Sequence, residues 1–136
     1  MSLDPDGFKG LADFRFALRR FLAASEAISR HAEVTPRQYQ ALLAIKAREG
    51  EAMAVKDLAE ELLLTHHAAV QLVDRLSKAG LAERKPSAVD RRSVLLALTA
   101  KGEAMVGELA ARHLEAMLAQ EPLLTASLKR LKRIGA

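Results

Sequence analysis

Cysteine is absent from the 136 residues. That excludes disulfides, a thiolate metal site, an iron–sulfur cluster and a thiol redox switch. Tryptophan is also absent, tyrosine occurs once, and aromatic residues make up only 4%. Glycine stands at 7 and proline at 4, too few for a collagen-like or low-complexity chain. Apolar runs stop far short of the roughly 18 residues of a membrane span, as at Val94-Leu95-Leu96-Ala97-Leu98. The start, Met-Ser-Leu-Asp-Pro-Asp, places acids where a secretory signal needs Lys or Arg. No membrane partner and a cytoplasmic location are expected.

What is there is 50% apolar, mostly Leu and Ala, and 28% charged. Leu and Ala favour helix, so a mainly helical soluble fold is expected, with residues 1–136 forming one domain. The net charge is only +4, a weak hint of a polyanionic partner. Its distribution says more. Residues 49–61 hold Glu49, Glu51, Asp57, Glu60 and Glu61 against Lys56 alone. Residues 84–92 hold Arg84, Lys85, Arg91 and Arg92 against Asp90, and the last ten residues hold Lys129, Arg130, Lys132 and Arg133 with no acid.

Apolar spacing divides the chain into elements. Leu11, Phe14, Leu18, Phe21 and Ile28 form a helical stripe over residues 8 to about 31. Thr35-Pro36 with Gln38 predicts a capped second helix, apolar at Tyr39, Leu42, Leu43 and Ala47, ending near Gly50. A short helix is expected from Ala54 to Leu64, with Val55, Leu58, Ala59, Leu62 and Leu63 on one face. Thr65 caps a fourth, with Ala69, Leu72, Val73 and Leu76 inward and Gly80 as the stop.

Then the period changes. Ala82–Lys85 and Ser93–Leu98 read as two strands around a polar hairpin loop, Pro86–Arg92. Thr99 opens a fifth helix to about Gln120, apolar at Met105, Val106, Leu109, Ala110 and Met117. Pro122 restarts a sixth, with Leu124, Leu128 and Leu131 inward. Two short helices followed at once by a basic hairpin are a winged helix-turn-helix. The expected fold is therefore mainly α with a small β-hairpin wing: residues 35–98 form the winged lobe, and 8–34 with 99–136 form dimerisation helices.

Residues 57–102 resemble the DNA-binding lobe of the MarR family (multiple antibiotic resistance regulators). The matching stretches are Leu58-Ala59-Glu60-Glu61-Leu62, Leu72-Val73-Asp74-Arg75-Leu76, Ala79-Gly80-Leu81, Asp90-Arg91-Arg92 and Leu98-Thr99-Ala100-Lys101-Gly102. The flanking helices also match that family's layout in order and length. The resemblance implies a homodimeric regulator of transcription, usually a repressor, on a pseudo-palindromic double-stranded DNA operator. It also implies a small aromatic effector held between the dimerisation helices and the winged lobe.

Site residues follow from both readings. On the fourth helix the face opposite the core carries His66, His67, Val70 and Gln71, the positions from which base edges are read, with Thr65 and Arg75 beside them. Gln pairs bidentately with adenine and Val meets a thymine methyl. Where the family often has Ser, Thr and Arg, this chain has His66, His67, Ala68 and Val70, so an unusual operator is expected. In the loop, Asp90 and Arg92 resemble the family's Asp-x-Arg wing motif, the Arg entering the minor groove and the Asp bracing it. Arg84, Lys85 and Arg91 would serve phosphates. The bland alternative for both segments is a solvated charged surface.

His66 and His67 point about 100° apart on a helix and cannot chelate one ion together. With no HExxH spacing and no Cys, neither a metal nor another cofactor is expected. No G-x-G-x-x-G, phosphate-loop or nucleophile-elbow pattern occurs, so no enzyme is expected. For the effector, Phe21, His31, Tyr39 and Leu43 are the candidates. The terminal apolar residues, among them Phe8, Phe14, Leu124, Leu128 and Leu131, exceed what one helical arm can bury, so a dimer built from these arms is expected. Two rivals stand beside the regulator. One is a winged-helix module turned to protein–protein contact, suited by the donor-poor Ala68, Ala69, Val70 face; the other is a ligand-binding or enzymatic dimer.

Overall fold

The computed structural model describes residues 2–48, 50–89 and 93–135. The elements run α1 (Pro5–Ala32), α2 (Pro36–Ala47), α3 (Val55–Glu61), α4 (His66–Lys78), β1 (Ala82–Pro86), β2 (Val94–Leu98), α5 (Ala100–Ala119) and α6 (Glu121–Gly135). The order matches the sequence expectation element for element. The chain divides into two compact units, residues 29–110 and residues 1–28 with 111–136.

In the first of these, caps set the helix starts. Thr35 and Gln38 form the expected reciprocal box: Gln38 N donates to Thr35 Oγ1 at 3.0 Å, and Thr35 N to Gln38 Oε1 at 2.9 Å. Ala68 N donates to Thr65 Oγ1 at 3.1 Å, starting α4 at His66. Ala54 has no capping side chain, and Asp57 Oδ2 accepts from its N–H instead, at 2.8 Å. The core joins Leu42 and Ile45 of α2, Leu58 of α3, and Leu72, Val73 and Leu76 of α4 to Met53, Leu96, Val106 and Leu109, all buried.

The α3 end departs from expectation. The helix stops at Glu61, and Leu63 is neither helical nor buried: its φ is +55° and it is 92% exposed. Leu64 N donates to Ala59 O at 2.8 Å, the closing bond of a C-terminal motif that needs a left-handed residue just before it. Leu63 takes that position although it has a Cβ, so the turn before α4 overrides its place on the apolar stripe.

The wing is an antiparallel pair with Ala82 opposite Leu98 and Pro86 opposite Val94. Leu96 N donates to Met53 O at 2.8 Å, lashing the segment before α3 to the outer edge of β2. The Thr99-Ala100-Lys101-Gly102 stretch ties α5 to the end of α4. Thr99 Oγ1 donates to Gly80 O at 2.6 Å and accepts from Gly102 N at 3.0 Å, while Lys101 Nζ donates to Ala79 O at 2.9 Å. A Cβ on Gly102 would overlap the Leu81 carbonyl, so only glycine fits there.

In the second unit α1 has two apolar faces, not one. The buried face is small, made by Gly7, Gly10, Ala17 and Ser25. Leu11 and Leu18 of the expected stripe are exposed in the chain. Gly10 lets α6 come close, a Cβ there standing 3.0 Å from Leu131 Cδ2, and Arg130 Nε lies 3.2 Å from Asp6 Oδ1. Leu128, expected inward, is 44% exposed, and Ser127 takes the buried position with its hydroxyl donating to Leu124 O at 2.8 Å. Small residues pack closer than leucines, so they win the inner face. Among the described residues no helix is long and apolar enough to cross a membrane.

Candidate nucleic-acid interface

Helix α4 is split by burial. Ala69, Leu72, Val73 and Leu76 are in the core, Val70 is half-buried, and His66, His67, Gln71, Asp74, Arg75 and Lys78 are exposed. The i, i+3, i+4, i+7 apolar spacing produces this division, since residues four apart stack on one face. His66 and His67 occupy the first two helical positions, directly after the Thr65 cap. One rigid helix thus offers an outer face of donors and acceptors from its N-terminal half, the geometry for reading base edges. The Thr65 hydroxyl is engaged as the cap acceptor, leaving its lone hydrogen free to point outward.

The wing strand is attached to this face. Arg84 Nη2 of β1 donates to Asp74 Oδ1 of α4 at 2.7 Å. Arg84, assigned from sequence to phosphates, therefore also sets the wing against the helix. Lys85 Nζ lies 3.3 Å from Glu83 Oε1, both side chains exposed. Val89, near the hairpin tip, is 97% exposed. Asp90, Arg91 and Arg92, the wing motif, lie outside the described residues.

The four effector candidates divide between the units. His31, Tyr39 and Leu43 belong to residues 29–110, and Phe21 to the other unit, where it meets the His113 ring edge-on with centroids 6.3 Å apart. Tyr39 is buried, and burial pushes its hydroxyl above the usual tyrosine range. His31 is exposed. Leu43 is partly exposed at a hollow of about 310 Å³ shared with Ala47 and Leu62. His113 Nε2 and Ser25 Oγ are 2.7 Å apart and buried, a pair that helical spacing gave no means to foresee. Among the described residues no three His, Asp or Glu side chains gather as a metal site.

Of the dimer candidates, Phe8 and Leu128 are exposed, and Phe14, Leu124 and Leu131 are half-buried. Within α5, part of the expected dimerisation helices, the sequence singled out no interface residue, and Leu114, Met117 and Leu118 are each at least 50% exposed. Their i, i+3, i+4 spacing puts them on one helix face, which was the available signal.

A helix-turn-helix with a latched two-stranded wing defines a winged-helix protein. The model of the MarR family matches residues 32–93. The matched stretch is the winged lobe, which is similar to that family. Among curated protein sequences, none matches the chain. Among solved structures it is similar to AbsC, a MarR family transcriptional regulator from Streptomyces coelicolor, at 21% identity and TM-score 0.76, covering 99% of this chain and 95% of that one. It is similar to S. aureus MepR in a DNA complex, at 18% identity and TM-score 0.67, covering 90% and 94%. It is also similar to CouR from Rhodococcus jostii RHA1 bound to p-coumaroyl-CoA, at 27% identity and TM-score 0.64, covering 71% and 66%.

Proposed function

We propose that the chain is a sequence-specific, double-stranded DNA-binding regulator of transcription that acts as a homodimer. Residues 8–34 and 99–136 are its dimerisation helices, and 35–98 its DNA-binding lobe. One observation carries the reading: the exposed His66–His67–Gln71–Arg75 face of α4, joined through Asp74 to a basic wing strand. The match of the lobe to the MarR family model and the likeness to MepR, solved on DNA, support it. Major-groove edges distinguish all four base pairs, so a single exposed helix face is enough to specify a half-site. A two-fold dimer then requires a pseudo-palindromic operator.

The finer reading is a repressor released by a small aromatic effector. CouR, bound to an aromatic thioester, supports an effector of that class. Phe21, His31, Tyr39 and Leu43 are the residues assigned to it. The protein has no enzymatic role in this reading, and it works in the cytoplasm, where its operator is.

Selection of bound duplexes from a random pool tests the core claim. A recovered inverted repeat, bound with an affinity that falls steeply with salt, is the expected result. Flat salt dependence and no enriched sequence would instead support a protein–protein module. Release of the selected duplex by p-coumarate or salicylate tests the effector.

A further inference from the structure

A cavity of about 220 Å³ lies within the winged lobe, where the end of α2, residues 50–53, β2 and the first turn of α5 meet. It shares no residue with Phe21, His31, Tyr39 and Leu43. Buried Ile45, Met53 and Leu96 supply its apolar wall. Among the described residues its charged lining is two cations and two carboxylates. Lys46 Nζ and Glu103 Oε2 neutralise each other at 2.8 Å. Arg48, half-buried, and Glu51, exposed, have no ion-pair partner among the described residues.

The strand register adds a backbone donor. Thr99 N donates to Leu81 O and Ser87 N to Ser93 O, so in β2 the odd-numbered residues bond toward β1. Leu96 and Leu98 turn their N–H groups to the opposite edge. The Leu96 N–H is taken by Met53 O; the Leu98 N–H, at the cavity, has no partner among the described residues.

An apolar wall with one cation, one carboxylate and one N–H that lack partners among the described residues is complementary to a small zwitterion. We propose that this cavity binds an aliphatic α-amino acid. Its carboxylate pairs with Arg48 and the Leu98 N–H, its ammonium with Glu51, and its side chain lies against Ile45, Met53 and Leu96. A plain carboxylate would face Glu51 as a like charge, and a plain amine would leave Arg48 unpaired, so the zwitterion fits better than either. The volume is below the roughly 300–1,000 Å³ of drug-sized sites, which limits the occupant to something on the order of ten non-hydrogen atoms.

The test is L-leucine titrated into the full-length ¹⁵N-labelled protein, followed by backbone amide shifts and thermal denaturation. Saturable shifts at Met53, Leu96 and Leu98 with a raised Tm are expected. Arg48→Gln and Glu51→Gln should each weaken binding at least tenfold; neither side chain is in the core, so both variants fold. 4-Methylpentanoate, which lacks the ammonium, should bind wild type at least tenfold more weakly than leucine, and Glu51→Gln should tighten rather than weaken its binding by removing the like charge. Equal affinity for leucine and 4-methylpentanoate would overturn the zwitterion, and unshifted amides at Met53, Leu96 and Leu98 would overturn the site.

Discussion

Arg84 on the wing strand donates to the Asp74 carboxylate on the recognition helix across 2.7 Å. Ten residues separate them in sequence, and the hairpin turn brings them together. Both side chains are partly in water, so the pair is worth no more than about 1 kcal/mol of stability. Its value is geometric: it sets where the wing stands relative to the helix face proposed to read DNA.

Reversal of the pair tests this. Arg84→Asp should weaken operator binding by about 1–3 kcal/mol, through loss of the latch and of a cation near phosphates. The double variant Asp74→Arg with Arg84→Asp restores the latch with the charges exchanged. It should bind the operator more tightly than Arg84→Asp while its Tm stays near wild type, measured by fluorescence anisotropy and thermal melting. Additive losses in the double variant would deny any coupling between wing and helix.

Wing and helix should differ in what they contribute. Arg92→Ala should weaken binding to operator and unrelated duplex alike, by about 1–3 kcal/mol, and lower the salt slope by roughly one unit. Gln71→Ala should cost more on operator than on unrelated duplex, because only base-edge contacts carry sequence choice. Asp90→Ala should fall between them, leaving the cation present but unbraced. Loss of both affinities in Gln71→Ala, with both intact in Arg92→Ala, would reverse the roles.

How far the sequence was legible depended on the range of the interaction. The Thr35–Gln38 box and the Thr65 cap are three-residue signals, and both stand as read. The α4 core stripe was equally local. The Asp74–Arg84 latch and the Met53–Leu96 strap depend on hairpin register, which spacing along the chain does not contain. In α1 the failure had another cause. Large apolar residues drew attention to Leu11 and Leu18, whereas the face packed within the chain is made of glycine, alanine and serine. Hydrophobic size marks what wants to be buried, not against which partner.

Leu63 offers a test of the turn before α4. A leucine with φ of +55°, 92% exposed, has a strained backbone and little packing in return. Leu63→Gly should relieve that strain and, even after glycine's extra unfolded-state entropy, stabilise the protein by about 0.5 kcal/mol. Urea denaturation with an unchanged m-value is the measurement. A loss of stability would mean that Leu63 is covered in solution by a partner the single chain does not contain.

The dimer prediction rests on which apolar residues the chain leaves outward. Leu22 of α1, Leu114 and Leu118 of α5 and Leu128 of α6 are all exposed, all in the unit made by the two ends of the chain. These leucines, on three helices of one unit, are the residues we assign to the proposed dimer interface. The protein should therefore migrate at twice its 14.8 kDa, with a Tm that rises with concentration. Leu118 is 59% exposed, so Leu118→Glu removes little packing inside the protomer and should give a folded monomer with near-full helicity by circular dichroism and weakened operator binding. Leu131→Glu is the contrast. Its side chain packs on Gly10 within the same chain, so a carboxylate there should unfold the arm rather than merely separate the subunits. Sedimentation of the two variants separates the cases, and a Leu118→Glu protein that stayed dimeric would move the interface elsewhere.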